Sequence, residues 1–166
     1  MNSFLSIEMI TVVTFKSFIT NMNKKIRNAT VSRKGKKIFR SKIELFTYNE
    51  LKKNKIPFKY EEVRFEIIPS FKFEPVSLEK KKSRGRNILK EVGSKIRGAT
   101  YLPDFVNLEE GWIIEVKGLR TEAFNLRWKL FKKYLVDNKL FYDLYMPGNQ
   151  GQVKEVIKII KKKYDR

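Results

Sequence analysis

The sequence predicts an α/β fold with a mixed sheet flanked by helices, and three observations predict it. Helical periodicity marks residues 42–55, 121–136 and 152–163, whereas strand-type patterns mark 58–68, 101–117 and 140–146. A tight strand pair at 101–117 is followed by a helix and then a strand, an order that calls for a right-handed parallel crossover. The chain has 166 residues, 42% of them hydrophobic, with 13 Phe and 7 Tyr, enough to bury one core and too apolar for disorder.

The first 22 residues are apolar (Phe4, Leu5, Ile7, Ile10, Val12, Val13, Phe15, Phe18) but are interrupted by Glu8 and Lys16. No basic stretch precedes them and no run reaches spanning length, so neither a signal peptide nor a membrane contact is expected. The segment reads as an added strand, a helix or a dimer contact, and Met22-Asn23 also resembles a start. Residues 23–40 carry Arg33, Lys34, Lys36, Lys37 and Arg40 around Gly35. They read as a basic arm for phosphate contact or as a solvated linker. The expected division is therefore an apolar segment and arm at 1–38 and a folded domain at 39–166.

Ser41 opens the first helix, predicted over 42–55. At about 100° per residue, Ile43, Phe46, Tyr48 and Leu51 share one face, with Glu44 between Leu51 and Tyr48 on the inward side. An inward carboxylate must be paired, hydrogen-bonded or metal-linked. Ser41-x-x-Glu44 is equally a capping box, and the sequence leaves both readings open. Pro57 follows the helix, and 58–68 alternates, with Val63, Phe65 and Ile67 on one face and Arg64 and Glu66 on the other. This predicts a half-exposed strand, with a continuation through Phe71 and Phe73. Residues 77–98, with Lys80, Lys81, Lys82, Arg84 and Arg86, read as a mobile basic loop with a short helix near 87–92. In the helix at 121–136, Phe124, Trp128, Phe131 and Leu135 form a core stripe. Lys129 and Lys132 lie on the adjacent polar face. The last helix, 152–163, is expected to bury Val153, Val156, Ile157 and Ile160.

Chemistry is confined by what the chain lacks. It contains no His and no Cys, which removes imidazole acid–base schemes, thiol nucleophiles and Cys/His zinc sites. Lys and Arg number 37 against 18 Asp and Glu, a net charge of +19 that calls for a polyanionic partner, nucleic acid first. Carboxylates and lysines remain, and they cluster at Pro103-Asp104 and Glu115-Val116-Lys117. Residues 115 and 117 leave the same face of a strand, while Ile114 and Val116 face the core. A turn centred near 109–110 brings Asp104 opposite Glu115. Two apposed carboxylates repel and favour a hard cation such as Mg²⁺, which takes one or two carboxylates plus water and phosphate oxygens. Lys117 beside such an ion would orient a water or neutralise charge on phosphorus. Each residue also has a plainer reading as a turn or cross-strand charge pattern.

Phe39-Arg40-Ser41-Lys42-Ile43-Glu44, Tyr60-Glu61-Glu62, Thr100-Tyr101-Leu102-Pro103-Asp104-Phe105 and Glu115-Val116-Lys117-Gly118-Leu119 together resemble the PD-(D/E)xK nuclease superfamily. They are most similar to its phage endonuclease I branch, the Holliday-junction resolvases. Glu115-Val116-Lys117-Gly118 with Thr121, Phe124 and Lys129-Leu130-Phe131 also resembles a group of small phage proteins of that superfamily. The resemblance covers roughly residues 39–135. It implies a restriction-endonuclease-like αβββαβ core and a catalytic set of Glu44, Asp104, Glu115 and Lys117. Mg²⁺, with Mn²⁺ as a substitute, would be held by Asp104, Glu115 and the Val116 carbonyl. It further implies a homodimer making paired nicks in branched DNA, in the cytoplasm of a phage-infected bacterium. The excursion at 77–98 is longer than that branch requires, and the first 22 residues have no counterpart in it. The alternatives are a sequence-reading restriction- or transposon-like nuclease, and a non-catalytic nucleic-acid-binding protein.

Overall fold

The computed structural model describes residues 32–34 and 37–164, and Ser32–Lys34 and residues 37–38 are described at the level of backbone only. The apolar segment at 1–22 and Lys36 lie outside the described residues. Two short strands open the described chain, β1 (Ser32–Lys34) and β2 (Lys37–Phe39), paired antiparallel. Arg33, Lys34 and Lys37 therefore fall on a hairpin that straddles the expected boundary at 38/39. Phe39, its last residue, is fully buried in the main core.

Helix α1 (Lys42–Lys53) starts at Ser41, whose side chain accepts the Glu44 N–H. Its deepest line runs through Glu44, Thr47 and Leu51. Ile43, Phe46 and Tyr48 are only partly buried, so the inward face is rotated from the apolar stripe toward the carboxylate. Thr47 satisfies its buried hydroxyl on the Ile43 carbonyl at 2.8 Å.

A four-stranded mixed sheet forms the centre. Its strands are β3 (Lys59–Tyr60), β10 (Phe105–Asn107), β11 (Trp112–Ile114) and β12 (Asp143–Tyr145), in the order β12-β11-β10-β3. β3–β10 and β10–β11 are antiparallel, and β11–β12 is parallel. Between the parallel strands runs α2 (Glu122–Asp137), capped by Thr121, and α3 (Gln150–Lys163) follows β12, capped by Asn149. The chain thus visits this sheet in the order helix, three antiparallel strands, helix, parallel strand, helix. The turn from β10 to β11 is held by Asn107, whose Oδ1 accepts the Glu109 and Glu110 N–H groups, and by Gly111 at φ +72°.

The sheet separates two apolar layers. One contains Phe39, Leu51, Tyr60, Phe105, Trp112, Ile114, Val116 and the inner face of α3, where Val153, Val156, Ile157 and Ile160 are buried as expected. The other contains Phe65, Tyr101, Val106, Ile113, Phe131 and Leu135, with Trp128 packed against it. Trp128 is a core residue beside Phe124 and Phe131.

Two expectations are corrected. Residues 58–68 are not one strand: Glu61 takes φ +48°, which ends β3 and sends the chain into β4 (Phe65–Ile68), in a different ladder. The predicted alternation nevertheless holds within β4 and its approach, with Val63, Phe65 and Ile67 packed inward. Residues 77–98 are neither an irregular loop nor a helix. They continue a nested antiparallel ribbon: β4 pairs with β9 (Ala99–Tyr101), β5 (Phe71–Lys72) with β8 (Lys95–Ile96), and β6 (Leu78–Ser83) with β7 (Arg86–Glu91). Phe73 N–H to Ser94 O and Val92 N–H to Ser77 O carry the pairing between the second and third ladders. The tip is Arg84-Gly85, both at positive φ (46° and 79°), the backbone of a two-residue hairpin turn. Near the root, Gly98 is required: a Cβ there would stand 2.7 Å from the Ile68 carbonyl oxygen and 2.9 Å from the Ser70 nitrogen. Among the described residues no helix is long and apolar enough to cross a membrane.

Candidate active site

The central hairpin places Asp104 and Glu115 face to face. Phe105 pairs with Ile114, so the next position along the same ladder sets residue 104 against 115. The backbone continues the sheet on both sides. Asp104 O accepts the Glu61 N–H at 2.9 Å, while the Glu115 and Lys117 N–H groups donate to Tyr145 O and Pro147 O. With those two N–H groups turned toward β12, the Val116 N–H faces the other way and donates to Asp104 Oδ2 at 2.7 Å. The alternation expected at 114–117 is present: Ile114 and Val116 enter the core, and residues 115 and 117 share the opposite face.

Glu115 is buried, and its Oε2 has no hydrogen-bond partner. The Tyr101 hydroxyl is also buried and without a partner, and it lies close enough for the two groups to act on each other's ionisation. Burial pushes the Glu115 carboxyl above its usual range, against the pull of the Tyr101 hydroxyl and Lys117. The Asp104 carboxyl is raised well above its usual range, first by burial, then by Glu115 and Glu44. The Val116 N–H opposes this. Such a pair resists double ionisation unless a cation joins it.

Glu44 enters from α1 and carries three donors: the Ser41 hydroxyl at 2.9 Å, the Arg40 N–H at 3.0 Å and the Tyr60 hydroxyl at 3.1 Å. The two sequence readings of Glu44 thus coexist. It closes the N-terminus of α1, reaching the Arg40 N–H rather than that of Ser41, and its charge acts on both Asp104 and Glu115. Lys117 is half-buried, its Nζ 4.6 Å from the centre of the Phe124 ring. The first turn of α2 therefore holds the ammonium.

Three residues join the site that sequence reasoning did not assign to it. Glu61 adds a further negative charge beside Asp104 and pairs with Arg40 at 3.0 Å. Tyr60 donates its hydroxyl to Glu44 from β3, and the Tyr101 hydroxyl lies near Glu115 from β9 without bonding it. Burial and the adjacent carboxylates drive both phenols well above their ordinary range, so both stay protonated. Strand alternation could not flag Tyr60: counted back from Phe65, residue 60 falls on the face of Arg64 and Glu66, and the positive φ at Glu61 resets the phase.

The carboxylates fit a hard cation by their chemistry. Among the described residues no three carboxylates converge tightly enough to hold an ion by themselves. A Mg²⁺ ion needs only one or two, completed by water and phosphate oxygens. The free Glu115 Oε2 next to Asp104 offers that pair. Of the predicted DNA-contacting residues, Arg40 adjoins the site through Glu61 and Glu44. Lys80, Lys81, Lys82, Arg84 and Arg86 are exposed on the third ladder of the ribbon. Lys129 and Lys132 are exposed on α2, with Lys132 Nζ 5.7 Å from the Trp128 ring centre.

Residues 23–147 match the family described as "Protein of unknown function (DUF1064)". No curated protein and no solved structure matches the chain.

Proposed function

This chain belongs to the DUF1064 family, and we propose that it is a Mg²⁺-dependent endonuclease of the PD-(D/E)xK type that cuts branched DNA as a homodimer. One observation carries the reading: Glu115 buries a carboxylate oxygen with no hydrogen-bond partner, opposite Asp104, in a chain of net charge +19. An unsatisfied buried carboxylate is costly, and binding a polyanion gives no reason to keep one. A cation shared with a phosphate does.

The order of elements around the central sheet, α1-β3-β10-β11-α2-β12, supports a restriction-endonuclease-like core. In this reading Asp104, Glu115 and the Val116 carbonyl hold the ion. When bound, Mg²⁺ polarises the phosphodiester and lowers the pKa of a coordinated water. Lys117, steadied on Phe124, orients the attacking water or neutralises charge developing on the phosphate. The Val116 N–H fixes the Asp104 carboxylate. Glu44, anchored by Ser41, Arg40 and Tyr60, completes the acidic wall.

The test compares a labelled four-way junction, a matched linear duplex and a single strand, each with Mg²⁺. Preferential junction cutting is expected. Duplex cut as fast as junction would remove the structure-selective reading and favour a sequence-reading nuclease. Tight junction binding without cutting under any divalent ion would favour a non-catalytic binding protein.

A further inference from the structure

The ribbon's third ladder is unlike the rest of the molecule. All twelve of its strand residues, Leu78–Ser83 and Arg86–Glu91, are exposed, so neither face packs on the domain. From residue 80 to 90 the sequence holds six Lys or Arg (Lys80, Lys81, Lys82, Arg84, Arg86, Lys90) and no acid, while Glu79 and Glu91 mark its root. The ladder is regular from Leu78↔Glu91 to Ser83↔Arg86. It is therefore an ordered rod, about 20 Å long at about 3.3 Å per residue. Its connection to the site is direct: the same ribbon descends through two further ladders to Tyr101, three residues before Asp104.

We propose that this ladder is an arm that lies in the major groove of a duplex segment of the substrate. The identification of the polyanion as DNA rests on the nuclease reading. Three features favour the groove. Two strands about 4.8 Å apart, with side chains on both faces, fit a major groove about 12 Å wide but not a minor groove about 6 Å wide. Each face of the ribbon carries cations: Lys80 and Lys82 share one, Lys81 and Arg86 the other, since cross-strand partners point the same way. Whichever face enters the groove thus brings cations with it. Each face also exposes one aliphatic side chain opposite a lysine, Leu89 across from Lys80 and Ile88 across from Lys81. On the face that enters the groove, such a side chain suits a thymine methyl group on the floor. A second copy of this basic chain would meet the arm with like charge.

The test uses the full chain carrying Lys80→Thr, Lys82→Thr, Arg84→Asn and Arg86→Thr together. Thr keeps strand propensity, Asn tolerates the positive φ at position 84, and no buried residue is touched. Junction binding is measured in EDTA by fluorescence anisotropy across a salt series, with dimethyl sulfate protection of guanine N7 and adenine N3. For the wild type, N7 protection in a duplex arm is expected. In the variant it should vanish, with the slope of log K against log salt falling by about 3–4. An unchanged slope and footprint would overturn the proposal. Protection of adenine N3 instead would move the arm to the minor groove and also overturn it, as would loss of dimer without loss of slope. Cutting is read separately in Mg²⁺. Absent cutting with an intact N7 footprint would sink only the nuclease reading, whereas a variant that still cuts and keeps its slope and footprint sinks only the arm.

Discussion

Replacing Glu115 with Gln is expected to stabilise the metal-free protein at neutral and alkaline pH while destroying its chemistry. In the folded chain the Glu115 carboxyl is buried, its Oε2 lacks a hydrogen-bond partner, and Asp104 lies opposite. Burial is the largest influence on its ionisation and outweighs the help from Tyr101 and Lys117. An unsatisfied buried charge costs on the order of 2 kcal/mol. In a domain of this size, removing that cost raises Tm by roughly 4–8 °C. The pH dependence fixes the sign. A carboxyl raised on folding contributes stability that is present in full below the ordinary Glu range, about 4.3, and is lost as pH rises through the folded value. Wild type should therefore weaken from acid toward neutral pH, whereas Glu115→Gln does not titrate at this position. The gap in Tm should open as pH rises and close at acid pH. Thermal unfolding in EDTA at pH 5, 7 and 8 reads this. Mg²⁺ should raise the Tm of wild type and leave the variant unmoved. A variant less stable than wild type at pH 8, or a gap independent of pH, would mean that the buried Glu115 carboxylate carries no such cost.

Three further outcomes follow from the same geometry. Lys117→Ala should lower the rate of cutting about 10²–10³-fold. Its junction affinity should stay within about threefold, because one phosphate-facing cation is a small part of the binding charge; parallel loss of binding would make Lys117 a phosphate anchor. Tyr60→Phe removes one of three donors to Glu44 and should cost about 1 kcal/mol, a fall of roughly 2–4 °C by calorimetry. An unchanged Tm would mean that this bond does not operate. Gly98→Ala forces a Cβ against the backbone at Ile68 and Ser70, so limited proteolysis should cut the ribbon between residues 70 and 96 faster than in wild type. Equal digestion would mean that the root of the ribbon adapts without opening.

The sequence was most legible where one face of an element is buried. Ser41, Thr121 and Asn149 cap helices whose buried positions recur at helical spacing, and α3 buries the four residues its pattern predicts. The apposition of Asp104 and Glu115 was legible because a single turn sets the register. The ribbon was hidden for the opposite reason. Both faces of its third ladder meet solvent, so it carries no apolar alternation, and Arg84-Gly85 is a weaker turn signal than Asn-Gly. The break at Glu61 was hidden as well, since a positive φ at a charged residue has no compositional mark. Glu44 lay between two readings because its partners come from three places, and the Tyr60 hydroxyl, sixteen residues away, is a tertiary contact. The Asp104–Val116 bond likewise depends on Tyr145 and Pro147 having taken the neighbouring N–H groups at 115 and 117.

The most direct measurement is the cleavage of an end-labelled four-way junction by purified wild type, Asp104→Asn and Glu115→Gln with Mg²⁺, with and without EDTA. Nicked product is expected for wild type in Mg²⁺ alone, none in EDTA, and none from either variant although both remain folded and bind the junction. Cutting that survives EDTA, or that persists in a folded Glu115→Gln protein free of contaminating nuclease, would contradict that expectation.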